Sequence, residues 1–209
     1  MFTKRPPYLL RGKFPWAMAQ RGLTIIELMI GIAIVSMLLL FAVPGMTTWL
    51  QGSQIRNATE SIQGAMQLAR AEAVRRNTNV ELVLTSVAGG GNATDWVVRC
   101  FTSSATCPGA GQTETSIQER SGREGSLNAT LTLNPPISTI VFSGTGRITP
   151  VPAGNIVIDV KHTTDTIATP TCLDTSGGGT YRCLRLVVAP GGQTRMCDPS
   201  LVAPNPRAC

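Results

Sequence analysis

From Leu23 to Val43 the chain reads LTIIELMIGIAIVSMLLLFAV, 21 residues that carry a single charge, Glu27. As a helix this run is about 31 Å long, enough to cross a bilayer core of about 30 Å. Few other environments hide so long an apolar surface, so residues 23–43 are predicted to be a membrane-spanning helix. Lys4, Arg5, Arg11, Lys13 and Arg21 all precede it, and no acidic residue comes before Glu27. That asymmetry predicts a cytoplasmic N-terminus and a body on the far side of the membrane.

The same five cations explain most of the net charge of +6 carried by 209 residues. Beyond Gly22 the chain has 13 basic and 12 acidic residues. Net charge therefore offers the body no attraction to nucleic acid. The only histidine, His162, is read as a surface imidazole and carries no catalytic pattern with Asp165 three residues on. With one histidine and no CxxC spacing among six cysteines, neither a metal site nor a cofactor is expected, and disulfides are. Disulfides suit an oxidising compartment outside the cytoplasm.

A secretory signal peptide is the rival reading of the N-terminus. The apolar run is too long for one, no A-x-A site closes it, and an amphipathic pattern continues beyond it; an uncleaved signal anchor is the remaining alternative. Glu27 separates these readings, because a carboxylate inside a membrane span is expensive and needs a partner. If the chain is cut after Gly22, the new amine of Leu23 lies four residues from Glu27 on one helical face. Arg21-Gly22-Leu23-Thr24-Ile25-Ile26-Glu27-Leu28-Met29 resembles the signal of type IV pilins and pseudopilins. The resemblance implies a leader over 1–22, cleavage between Gly22 and Leu23 by a prepilin peptidase, N-methylation of Leu23, and a role for Glu27 in assembly register. Met18 is expected as the working start rather than Met1, since MAQRG is a leader of ordinary length. Pro44 falls where such pilins kink their helix, and Pro44-Gly45 has the chemistry to do so.

Past Pro44, Ile55, Thr59, Ile62, Met66, Ala69 and Ala73 recur at steps of three and four, which predicts the periplasmic half of the helix over 44–78. From residue 79 the period is two. Strands are expected at Val80–Val87, Trp96–Phe101, Ser126–Leu133, Thr139–Phe142, Asn155–Val160, Arg182–Ala189 and Thr194–Cys197, separated by glycine and proline turns. The predicted class is α+β: a long N-terminal transmembrane helix packed on an antiparallel body over 79–209. Phe142-Ser143-Gly144-Thr145-Gly146-Arg147, together with Arg185 through Arg195, resembles the GspH/FimT group and implies its pilin-like fold.

Six cysteines allow fifteen pairings. Cys100–Cys107 closes a short loop. A two-residue turn at Gly191-Gly192 pairs Pro190 with Gln193 and sets Cys197 opposite Leu186, about 10 Å along the strand from a register with Cys183. Cys172–Cys183 and Cys197–Cys209 fit better, while hairpin cysteines in the group keep Cys183–Cys197 open.

No enzyme is expected. The leading reading is a minor pilin of a type IV pilus tip or priming complex, anchored in the bacterial inner membrane and assembled through its N-terminal helix with other pilins. The alternative is a minor pseudopilin of type II secretion. A further alternative is a DNA-binding pilin, for which Arg182, Arg185, Arg195 and Arg207 are the candidate phosphate contacts.

Overall fold

The structure is a computed structural model that describes residues 22–85, 94–102, 107, 116–166 and 169–209, with the side chains of 42–44 excepted. Helix α1 runs Ile25–Arg76 over 52 residues. By contact the chain separates into two units that divide within α1, Met1–Ala42 and Val43–Cys209.

In the first unit the apolar side chains from Ile25 to Phe41 are exposed. Among the described residues no single helix is long and apolar enough to cross a membrane; Ile25–Phe41 and Gly45–Arg76 meet that test only together. Of Pro44, the expected kink site, the side chain lies outside the described residues.

In the second unit α1 ends as its sequence dictates. Asn77 takes a positive φ of 50°, and the N–H groups of Thr78 and Asn77 reach the carbonyls of Ala73 and Val74 at 3.1 and 3.3 Å. This is a Schellman closure with asparagine in the usual glycine place. The predicted stripe is fully buried: Ile55, Thr59, Ile62, Met66, Ala69 and Ala73 are at most 1% exposed, as are Ala58 and Ala65 between them. Thr59 satisfies its hydroxyl on the Ile55 carbonyl at 2.7 Å.

Eight strands follow: β1 Val80–Leu84, β2 Trp96–Cys100, β3 Gln118–Arg120, β4 Ala129–Asn134, β5 Thr139–Phe142, β6 Ile156–His162, β7 Leu184–Val188 and β8 Thr194–Cys197. They form two antiparallel sheets, ordered β3-β2-β1-β5 and β4-β6-β7-β8. The α1 stripe shares one core with both, meeting Val80, Leu82 and Ile140 from the first sheet and Ile156, Ile158 and Leu186 from the second. β6 shows the period plainly, burying Ile156, Ile158, Val160 and His162 while Val157, Asp159 and Lys161 turn outward. Cross-strand ion pairs sit at two register positions, Glu81–Arg99 between β1 and β2 and Asp159–Arg185 between β6 and β7.

The structure corrects three expectations. β3 was not predicted, because Gln118-Glu119-Arg120 carries no apolar residue to signal a strand. The β7–β8 loop has three residues rather than two: Ala189 pairs with Gln193, so Arg185 and not Leu186 lies opposite Cys197. Gly192 in the left-handed region, φ +80°, is what a three-residue hairpin needs at its last position. Thirdly, His162 is not a surface imidazole but only 5% exposed. The expected Gly89-Gly90-Gly91 turn lies outside the described residues.

Disulfides join Cys100 to Cys107, Cys172 to Cys183 and Cys197 to Cys209.

Candidate functional site

The N-terminal end of α1 is built by Thr24. Its hydroxyl accepts the Glu27 N–H at 3.3 Å and its carbonyl accepts the Leu28 N–H at 3.1 Å. Thr24-x-x-Glu27 has the spacing of a capping box, a signal the sequence reading overlooked. Glu27 thus sits in the first turn, where a carboxylate is favoured by the helix dipole. Because the cap is at Thr24, Leu23 stands before the helix. In the uncut chain it does not share a helical face with Glu27, since a side-chain cap ends the helix one residue short of it.

A second constellation gathers three segments far apart in sequence. Gly146 (φ +76°) lies against Arg70 and Val74 of α1: a Cβ there would stand 3.1 Å from Arg70 Nε and 3.2 Å from Val74 Cγ2. A Cβ on Gly144 would stand 2.9 Å from the Asn77 carbonyl carbon. One on Gly192 would collide with the Gly146 carbonyl oxygen. The Arg70 guanidinium donates to the Gly192 carbonyl at 3.5 Å, and Ile148 N–H reaches the Pro190 carbonyl at 3.2 Å. The Phe142–Arg147 stretch and the Gly191-Gly192 turn are therefore one joint, closing both sheets onto the last turns of α1. The glycines are there for backbone approach, and no reacting group is among them.

The four candidate arginines are drawn into the body's own hydrogen bonds to differing degrees. Arg185 makes a two-point contact with Asp159 at 2.6 and 3.0 Å, which raises its pKa further. Arg182 pairs with Asp198 at 3.0 Å. Arg195 donates to the Ala208 carbonyl at 2.7 Å. Arg207 makes no ion pair among the described residues. Two of the four are thus matched by a carboxylate, which lowers the field left for a phosphate.

His162 stacks on Tyr181 with ring centroids 4.3 Å apart. Its Nδ1 accepts the Thr164 N–H at 3.2 Å, and its buried Nε2 has no partner among the described residues. Burial pushes the imidazole below its ordinary value, opposed by the nearby Asp165 carboxylate. Burial would raise Asp165 in turn, but the N–H groups of Thr171 and Cys172, joined by Lys161, outweigh it and hold the carboxyl low. These groups pin the loop that leads to Cys172. Among the described residues no cluster of His, Cys, Asp or Glu is arranged to hold a metal.

Residues 58–192 match the family described as Type II transport protein GspH, and residues 17–43 match the prokaryotic N-terminal methylation motif. No curated protein matches the chain. Among solved structures, the chain is similar to the type IV minor pilin FimU of Pseudomonas aeruginosa, at 14% identity and a TM-score of 0.49, over 72% of this chain and 92% of that one. It is also similar to the minor pseudopilin EpsH of the Vibrio cholerae type 2 secretion system, at 10% identity and a TM-score of 0.44, over 71% of this chain and 99% of that one. The match over 58–192 covers most of the buried stretch of α1, strands β1 to β7 and the glycine joint, and with the methylation motif ahead of it the chain belongs to the GspH family, within the pilin and pseudopilin class.

Proposed function

We propose that the chain is a minor pilin of a type IV pilus, held in the bacterial inner membrane by residues 23–43 with its body in the periplasm. A prepilin peptidase cuts after Gly22 and Leu23 is methylated. The observation that carries this reading is the methylation motif over 17–43 running into a helix whose first turn holds one carboxylate in an otherwise apolar segment. In lipid, Glu27 needs a cation, and the terminal amine of a neighbouring subunit is the one that assembly supplies. The subunit joins the tip or priming complex, and its role is structural, with no reaction assigned to the body. Three disulfides in the described body suit a protein displayed outside the cell.

The second reading, a pseudopilin of type II secretion, is favoured by the description of the matched family itself. A deletion strain separates the two. Loss of surface pili with secretion intact is the expected result, and lost secretion with normal pili would transfer the protein to the secretion machine. Within either system, Glu27→Ala should leave cleavage intact and abolish incorporation into the fibre. Wild-type incorporation of that variant would refute the register role.

A further inference from the structure

Between α1 residues 45–56 and the end of the β7–β8 sheet lies an open groove of about 830 Å³, within the range of sites that hold small molecules. Leu184 and Met196 line its apolar side. Trp49, also lining it, is 71% exposed. Three cations border it, Arg56, Arg182 and Arg207. Arg56 is matched by Glu60 and Arg182 by Asp198, which leaves Arg207 as the excess charge among the described residues. Gly45 and Gly52 stand on the groove face of α1 with no atom within 4 Å of where a Cβ would be, so the groove stays open down to the helix backbone.

The groove also begins where the apolar run ends. Gly45 is two residues past Val43, at most about 7 Å of chain. Trp49 carries exposed apolar surface into it, and Met46 and Leu50 on the same stretch of α1 are exposed as well. Tryptophan beside arginine at such a boundary is what a membrane interface selects, and cations there favour anionic lipid.

We propose that this groove seats an anionic phospholipid of the anchoring membrane, with its phosphate on Arg207, the cation left unmatched there, and the start of its acyl chains against Trp49, Leu184 and Met196. The proposal rests on the membrane anchoring of residues 23–43 given above. It adds a lipid-selective site that anchoring by itself does not require.

Native mass spectrometry of the full-length processed protein in neutral detergent tests it, using phosphatidylglycerol and phosphatidylcholine of matched acyl chains. Phosphatidylglycerol should be retained at least about fivefold over phosphatidylcholine. Arg207→Gln should remove most of that preference, and Arg75→Gln, which alters an exposed arginine outside the groove, should leave it unchanged. Gly52→Leu fills the groove from a position with free space and better helix propensity, and should also remove it. Equal retention of the two lipids, or a preference that survives both groove variants, overturns the proposal. Displacement by glycerol 3-phosphate at matched concentration would assign a soluble phosphate instead. Loss of bound lipid to a dimer or heteromer that Gly52→Leu abolishes would assign a protein partner. Release of the protein from membranes by alkaline extraction would show that anchoring itself had failed, a separate result from lost lipid selectivity.

Discussion

Gly192 occupies the last loop position between β7 and β8 at φ +80°, with the Gly146 carbonyl where its side chain would be. The left-handed conformation alone costs an alanine about 1–2 kcal/mol, and the blocked Cβ adds to that. Gly192→Ala should therefore lower the urea midpoint by clearly more than Gly154→Ala, whose site has open space and no positive φ; equal midpoints would remove the joint from the account. His162 offers a cleaner titration, being the only histidine in the chain. Its folded pKa lies below the ordinary 6.5, so just under pH 6.5 the unfolded chain takes up a proton that the folded one refuses. Stability should fall as pH drops through that value and level off below the folded pKa. Asp165 acts in a lower window: its folded pKa is depressed, so its contribution is present above the unfolded value of 3.8 and lost as pH falls through the folded one. Chemical unfolding between pH 7.5 and 5 should show the histidine slope, and His162→Gln should flatten it. None of this was legible from residue types, because a histidine alternating with Ile156, Ile158 and Val160 on β6 looks polar until the register places it inward.

At the scale of elements, α1 owes its placement to a stripe that can be counted in the sequence. Ile62 is fully buried on it, and Ile62→Ala should cost about 2–5 kcal/mol, whereas Gln63→Ala next to it should cost little; calorimetric midpoints of the two variants make the comparison. The stripe was readable because a helix averages its signal over many turns. Strand Thr139–Phe142 was readable too, since glycine and proline turns bound it and its period is two. β3 was not, for it exists only as an edge paired to β2, with no apolar face of its own. The β7–β8 register was misplaced by one residue because two adjacent glycines do not reveal whether the loop takes two residues or three. The N-terminal motif was legible as chemistry, a carboxylate in an apolar run, while its local geometry turned on the Thr24 cap.

In the molecule as a whole, disulfides tie the segments that the sheets do not. Residues 198–209 return along β8, with Asp198 N–H on the Arg207 carbonyl at 2.7 Å and Cys209 bonded to Cys197. Cys209→Ser opens a ring of 12 residues' separation and should cost about 2–4 kcal/mol, read as a lower melting point that reductant no longer lowers further at this bridge. The union of helix and body also has a mechanical meaning. The buried positions of α1 from Ile55 to Ala73 span about 27 Å. A pull along the axis of α1, applied just before Ile55, loads that seam in shear, along its length. Slipping by one turn, about 5.4 Å, would unseat every one of those side chains together, whereas peeling a strand breaks its ladder bond by bond. A subunit fastened in this way can carry tension through its helix without its sheets being the first part to yield.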